Sequence, residues 1–155
     1  MSVPSPQSES SPGRLVVGVD GSLHSQEALR WAIGQARRTG QQIEAVTSWT
    51  IPVDYGVGGV APVAAYDWEG AATGILKDTL AAVVDPSDAD RVSQRVVMGH
   101  PARVLLDAAA GADLLVVGSR GRGGFTGMLL GSVSQQVISR ARCPVIVVRD
   151  TNAED

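Results

Sequence analysis

The feature that most constrains the fold is an alternation of short strand-like segments with segments of helical periodicity. A continuous apolar run extends from Leu15 to Val19, and a second one covers Leu114 to Val117. Such runs are typical of strands buried on both faces, as in a parallel sheet that is covered by helices. We therefore expect an α/β fold, with the polar ends of these strands available for chemistry.

The remaining elements complete a regular alternation of strand and helix. The other predicted strands cover 43–49, 91–98 and 144–149. The predicted helices are one that ends at Gly40, one over about 64–84, one that begins at Pro101 and closes at Gly111, and one over 132–142. This order predicts a doubly wound, mostly parallel sheet, in which ligands bind beyond the carboxyl ends of the strands where the strand order reverses.

Size and charge limit the class of protein. A chain of 155 residues is long enough for one domain with a sizeable core. Its formal charge of −3 argues against a nucleic-acid partner, which requires a basic face. The single cysteine, Cys143, excludes an internal disulfide, so a reducing cytoplasm is expected. No apolar run approaches the roughly 20 residues of a membrane helix.

The ends of the chain are expected to lie outside the folded domain. Residues 1–13 are rich in serine and proline, which predicts a disordered tail rather than a signal peptide. The folded domain is expected to cover 14–150, followed by a polar tail over 151–155.

The glycine spacing after the fourth strand indicates a phosphate site. Gly118 and Gly121 precede Gly131 and Ser132 by a nine-residue interval, and a helix is predicted to begin at Ser132. Glycines admit a ligand close to the backbone, and a helix N-terminus offers free N–H groups to an anion. We therefore expect phosphates to be held by the amides of residues 131–134 and by the hydroxyls of Ser132 and Ser134. The alternative is a flexible loop with a capping box from Ser132 to Gln135.

Charged residues near these strand ends leave two interpretations open. Asp20 could bind a ribose, an adenine or a phosphate-bound metal, or it could serve only as a turn or helix-cap residue. Arg120 and Arg122 could neutralise phosphates or remain solvated loop charges. Neither His24 nor His100 has a partner at metal-ligand spacing. No paired general base and nucleophile is found, and no Walker A loop occurs.

Together these segments resemble the universal stress protein family over residues 14–149. The resemblance is carried by Val17 to Ser22, Asp113 to Gly121, Leu130 to Ser134 and Cys143 to Val148. The ATP-binding branch of that family is marked by Gly-x2-Gly-x9-Gly-Ser/Thr, and this chain satisfies every spacing of that motif.

The resemblance implies a five-stranded parallel sheet in the order 3-2-1-4-5, a Rossmann-like adenine nucleotide-binding fold. Adenine would then lie near the ends of the first two strands, lined by Gly18, Val19 and Ser48. Asp20 would face the ribose or a metal. Ribose and phosphates would be held by Gly118, Arg120, Gly121, Gly131, Ser132, Val133 and Ser134.

The implied function is an ATP-dependent regulatory switch in a stress response, with ATP as ligand, with or without Mg²⁺, and little or no turnover. The alternatives are a slow Mg²⁺-dependent ATPase and a binder of another adenine nucleotide, such as a cyclic nucleotide. A homodimer through the fifth strand is also expected. Its apolar residues Val145, Ile146, Val147 and Val148 would otherwise form a bare sheet edge.

Overall fold

A computed structural model describes residues 12–52, 66–121 and 129–149. Its elements are, in chain order, β1 (Arg14–Gly18), α1 (Leu23–Thr39), β2 (Gln42–Trp49), α2 (Trp68–Val83), a 3-10 helix (Pro86–Arg91), β3 (Val92–Met98), α3 (Pro101–Ala108), β4 (Leu114–Gly118), α4 (Ser132–Arg140) and β5 (Val145–Val148). The five strands form one parallel sheet in the order β3-β2-β1-β4-β5. The predicted doubly wound α/β fold is confirmed.

Each face of the sheet has its own hydrophobic core. Alternate residues of β1 point to opposite faces, so Leu15 and Val17 join one core while Val16 joins the other. The first core packs α1 and α2 against the sheet, and the second packs α3 and α4 against it. All three of these β1 side chains are fully buried, which explains why this strand is apolar without alternation.

The reversal of strand order lies between β1 and β4. From β1 the chain moves outward through β2 to β3, and it then returns to place β4 on the other side of β1. Leu15 is paired with Ile43 of β2 and with Leu114 of β4. The ends of β1 and β4 therefore border a crevice between helices that leave in opposite directions.

Most element boundaries agree with prediction, and the differences have local causes. Gly40 ends α1 in the left-handed conformation, with φ of 77°, as expected. The helix predicted from residue 64 begins at Trp68, with Asp67 as its N-cap, and residues 64 and 65 lie outside the described ranges. Of the two predicted tails, 1–11 and 151–155 also lie outside the described ranges.

A buried carboxylate in the 3-10 helix was not anticipated from the sequence. The Asp88 side chain is only 2% exposed, and it accepts hydrogen bonds from Arg37 Nε at 3.0 and 3.1 Å and from Arg91 Nε at 3.2 Å. The hydrogen bond from Arg37 lowers the pKa of Asp88, against the opposing effect of burial. This cluster ties the end of α1 to the segment that leads into β3.

We expect Asp88 to make the fold sensitive to acid. Because its folded-state pKa is below the ordinary value of 3.8, its stabilisation is complete above that value and is lost as the pH falls through the folded-state pKa. The melting temperature should therefore decline less between about pH 5 and pH 3 in Asp88→Asn than in the wild type. Asp107→Asn, in an exposed ion pair with Arg103, is the control. Equal acid dependence of Asp88→Asn and the wild type would contradict the assignment.

Candidate functional site

A cavity of about 480 Å³ opens at the carboxyl ends of β1 and β4. This volume lies within the range of about 300–1,000 Å³ that is common for small-molecule sites. All eleven residues predicted to bind the nucleotide line it: Gly18, Val19, Asp20, Ser48, Gly118, Arg120, Gly121, Gly131, Ser132, Val133 and Ser134. Five further residues line it that were not predicted: Ser25, Val46, Pro101, Leu105 and Val117.

Two glycines of the motif permit close backbone approach at the polar end of the cavity. A Cβ on Gly118 would lie 2.7 Å from the backbone carbonyl carbon of His24, so the first turn of α1 packs directly against the end of β4. A Cβ on Gly121 would lie 2.6 Å from Asp20 Oδ2. Side chains at either position would displace neighbouring atoms, and the second would fill space beside the Asp20 carboxylate.

Hydrogen bonds to Ser119 and Gly118 hold the start of α4 against the end of β4. The Gly131 N–H donates to the Ser119 carbonyl at 2.7 Å. The buried Ser134 hydroxyl donates to the carbonyls of Gly118 and Ser119, at 2.8 and 3.2 Å. The Gly131 amide and the Ser134 hydroxyl proton are therefore engaged within the protein, where they hold the start of α4 in position.

The capping box considered for Ser132 and Gln135 is absent. Gly131 is the N-cap residue, in extended conformation, and the helix start receives no side-chain hydrogen bond. Ser132 is the first helical residue, one position too late for a capping-box serine, and its side chain is exposed. The N-terminus of α4 thus faces the cavity without an acceptor from its own N-cap side chain.

Asp20 is part of a turn and also lines the cavity. Its Oδ1 accepts a hydrogen bond from the Ser22 N–H at 2.9 Å, which is a turn interaction. The helix cap itself is Ser22, whose hydroxyl accepts from the Ser25 N–H at 3.1 Å. The Asp20 carboxylate nevertheless lines the cavity, with Oδ2 beside Gly121. The turn therefore fixes the direction of a carboxylate that a ligand can reach.

The apolar side chains of the lining, which we call the apolar end, are those of Val46, Pro101, Leu105 and Val117, and Ser48 is the polar side chain beside them on the strand of Val46. Leu105 and Val117 are the nearest neighbours of a Cβ built on Gly18, and Gly18 is paired with Val46. The backbone of Val19 is already engaged here, because its N–H donates to the Val46 carbonyl and its carbonyl accepts from the Thr47 hydroxyl, both at 2.9 Å. Shape and apolar contact therefore dominate at this end of the cavity.

The charges of the site are few. Within the described ranges, Asp20 and Arg120 are the charged residues that line the cavity, and Arg122 lies outside those ranges. The described residues contain no group of three histidine, cysteine, aspartate or glutamate side chains that could hold a metal ion. His24 lies near the loop, with Nδ1 3.4 Å from the Ser119 hydroxyl.

Among the described helices, none is both long and apolar enough to cross a membrane.

Comparison with known proteins agrees with this architecture. The model of the universal stress protein family matches residues 12–149. A universal stress protein of Mycolicibacterium smegmatis is 42% identical over 137 residues, which is 87% of this chain and 45% of that protein. The chain belongs to the universal stress protein family. It spans less than half the length of the curated relatives that it matches.

Solved structures show the same fold. A universal stress protein crystallised in complex with cAMP is 29% identical, has a TM-score of 0.58, and aligns over 90% of this chain and 98% of that one. The UspA protein of Lactobacillus plantarum, 21% identical with a TM-score of 0.62, aligns over 88% of this chain and 97% of its own.

Proposed function

We propose that the protein is a regulatory member of its family that binds ATP in the cavity between β1 and β4. One observation carries the proposal: apolar side chains around Gly18 and, with them, the motif glycines and the start of α4 line the same cavity. A nucleotide combines the same two properties, because it has an apolar planar base and an anionic group. The N-terminus of α4 favours the phosphates, which leaves the apolar end for the base.

The motif spacing and a relative support the nucleotide class. Gly118, Gly121, Gly131 and Ser132 have the spacing typical of the ATP-binding branch, and the space beside Gly121 would be filled by a side chain. The structure that is 29% identical was solved with cAMP, so a cyclic nucleotide is the second candidate. Both ligands require the same base pocket, and they differ in how much of the loop they occupy.

A divalent cation is compatible with the site when phosphates are present. Mg²⁺ is commonly bound through one or two carboxylates together with substrate phosphates. Asp20 provides one carboxylate for such an ion. Arg120, the other charged residue of the described lining, is positive and would face the phosphates instead. If bound, the ion would neutralise phosphate charge. Asp20 would direct a carboxylate oxygen to it from a turn that Ser22 holds in place.

Two measurements test the proposal. Mass spectrometry of nucleotide extracted from denatured, purified protein should identify an adenine nucleotide. Calorimetric titration should then show tighter binding of ATP with Mg²⁺ than of cAMP. Tighter binding of cAMP would favour the second candidate. An absence of binding by both would contradict the proposal.

We also propose that the protein is cytoplasmic, because its single cysteine is free and a reducing compartment suits a free thiol.

We further propose that two copies form a homodimer through β5. β5 forms one edge of the described sheet. The carbonyls of Pro144 and Val148 accept hydrogen bonds from the N–H groups of Leu115 in β4 and of Ser119 just after it. Since backbone groups alternate along a parallel strand, those of Val145 and Val147 point away from the sheet. The opposite edge differs, because β3 exposes the polar residues 93–95. Polar and charged side chains discourage edge pairing, so β5 is the favoured interface.

Turnover is expected to be very low. The described lining of the cavity has no serine or cysteine nucleophile bonded to a histidine, and Asp20 is held in a turn. Typical enzymes turn over at about 1–1,000 per second, and we expect ATP hydrolysis far below that range. Phosphate release over hours, with and without Mg²⁺, is the measurement. A metal-dependent rate near about one per second that is lost in Asp20→Ala would instead identify a catalytic site.

A further inference from the structure

We propose that Leu105 limits the size of the base that the cavity accepts, so that the protein selects unsubstituted adenine over adenines with bulky substituents. This inference rests on the proposed nucleotide function and adds the residue that sets its selectivity.

Leu105 is a side chain of α3 that meets the end of β1. The ideal position of a Cβ on Gly18 lies 2.9 Å from Leu105 Cδ1 and 3.3 Å from Cδ2. Gly18 is paired with Val46 of β2, which also lines the cavity. Leu105 is only 6% exposed although it borders an open cavity. Its isobutyl group therefore packs across the backbone of β1 and forms a wall at the apolar end.

This wall cannot retreat easily, because α3 packs against both the sheet and α4. Pro101 begins the helix and lines the same cavity, and the Val104 N–H closes the first turn on the His100 carbonyl at 2.9 Å. The buried face of α3 joins the core that it shares with α4; its members here are Ala102, Val104, Leu105 and Ala108. Moving Leu105 outward would require this packed face to move with it.

Selection at this end is mainly steric. Ser48 is the polar side chain among the residues that form this end of the cavity. A bulky substituent on the base is therefore excluded by lack of space, and not by polar groups that it would leave without partners. Shortening Leu105 to alanine removes the terminal methyl groups from the wall and leaves a gap open to the cavity, which a larger base could fill. A change of one methylene in an apolar pocket alters selectivity by about 10–200-fold, so a larger truncation should alter it by at least about tenfold.

The test compares ATP with a panel of ATP analogues that carry a benzyl-sized group at N6, C2 or C8 of the base. Calorimetric titration of the wild type should show ATP bound at least about tenfold more tightly than every bulky analogue. In Leu105→Ala, the affinity for at least one analogue relative to ATP should rise by about tenfold or more. Leu106→Ala is the matched control, because Leu106 is the next residue of α3 and packs against the same core without lining the cavity. Its selectivity should remain that of the wild type.

Several results would overturn the inference. They are tight wild-type binding of all bulky analogues, unchanged selectivity in Leu105→Ala, or an equal change in Leu106→Ala. If Leu105→Ala does not fold, Leu105→Val removes a single methylene and should shift selectivity in the same direction by a smaller factor. Binding of ATP by the wild type without any effect of residue 105 would reject this inference alone. An absence of ATP and cAMP binding by the wild type would reject the proposed function as well.

Discussion

Gly121→Glu is expected to abolish ATP binding while the protein remains folded. A Cβ at this position would lie 2.6 Å from Asp20 Oδ2, so the new side chain must displace a carboxylate that Ser22 holds in place. The added charge would also lie where the phosphates are proposed to bind. Like charges brought together in an interface cost several kcal/mol. Because each 1.4 kcal/mol or so is tenfold in affinity, we expect a loss of at least about 100-fold.

Calorimetric titration with ATP measures this loss, and circular dichroism checks the fold. The matched control is Gly34→Glu, which adds the same side chain and charge in α1, where a Cβ meets no atom within 4 Å. Gly121→Ala separates the two causes, because it introduces the steric conflict without the charge. Wild-type affinity in a folded Gly121→Glu protein would show that the phosphates do not lie in this loop.

The second large effect is expected at β5, where Val147→Lys should convert a dimer into a monomer. The Val147 side chain is half-buried against the α3 and α4 face, and its backbone groups point away from the sheet. In the proposed dimer, two copies of β5 meet about a two-fold axis. Two lysines would then be brought close together within an apolar interface, where unpaired charges are costly.

Light scattering coupled to size exclusion measures this change at micromolar concentration. Val97→Lys is the control, because Val97 is also half-buried against the same core but lies on β3, at the opposite edge. Val147→Pro is a second test, because the N–H that it removes points away from the sheet and edge strands tolerate proline at such positions. A monomeric wild type, or a dimer that persists in both Val147 variants, would contradict the proposed interface.

The sequence predicted the fold well because the strands are buried on both faces. Leu15 to Val17 and Leu115 to Val117 have no polar alternation, which is typical of a parallel sheet covered by helices on both faces. The strand order came from the family resemblance and not from periodicity. The 3-10 helix around Asp88 was missed. Its stability depends on Arg37, far away in the chain, and local propensity carries no information about that contact.

The lining of the cavity was predicted in part, and its binding role stays a prediction. The residues of the glycine motif and of the β1 turn, which line the cavity, could be singled out because they are close in sequence and have distinctive spacing. Leu105 and Pro101 were missed, since an apolar residue on a helical stripe looks like core. The available signal was topological: α3 returns from the edge strand β3 to the central strand β4 and must cross near the end of β1. The engagement of Ser134 within the protein could be seen only in three dimensions.

The pairing of β1 with β4 determines when the site can exist during folding. Leu15 of β1 is paired with Leu114 of β4, so the walls of the cavity come from both halves of the chain. An intermediate that contains only β1, β2 and β3 has the Asp20 turn but no glycine loop. A ligand of the cavity therefore binds only the completed sheet, and it stabilises the folded state against global unfolding by mass action. Such a ligand should slow hydrogen exchange in the central strands β1 and β4, not only in the loops that contact it.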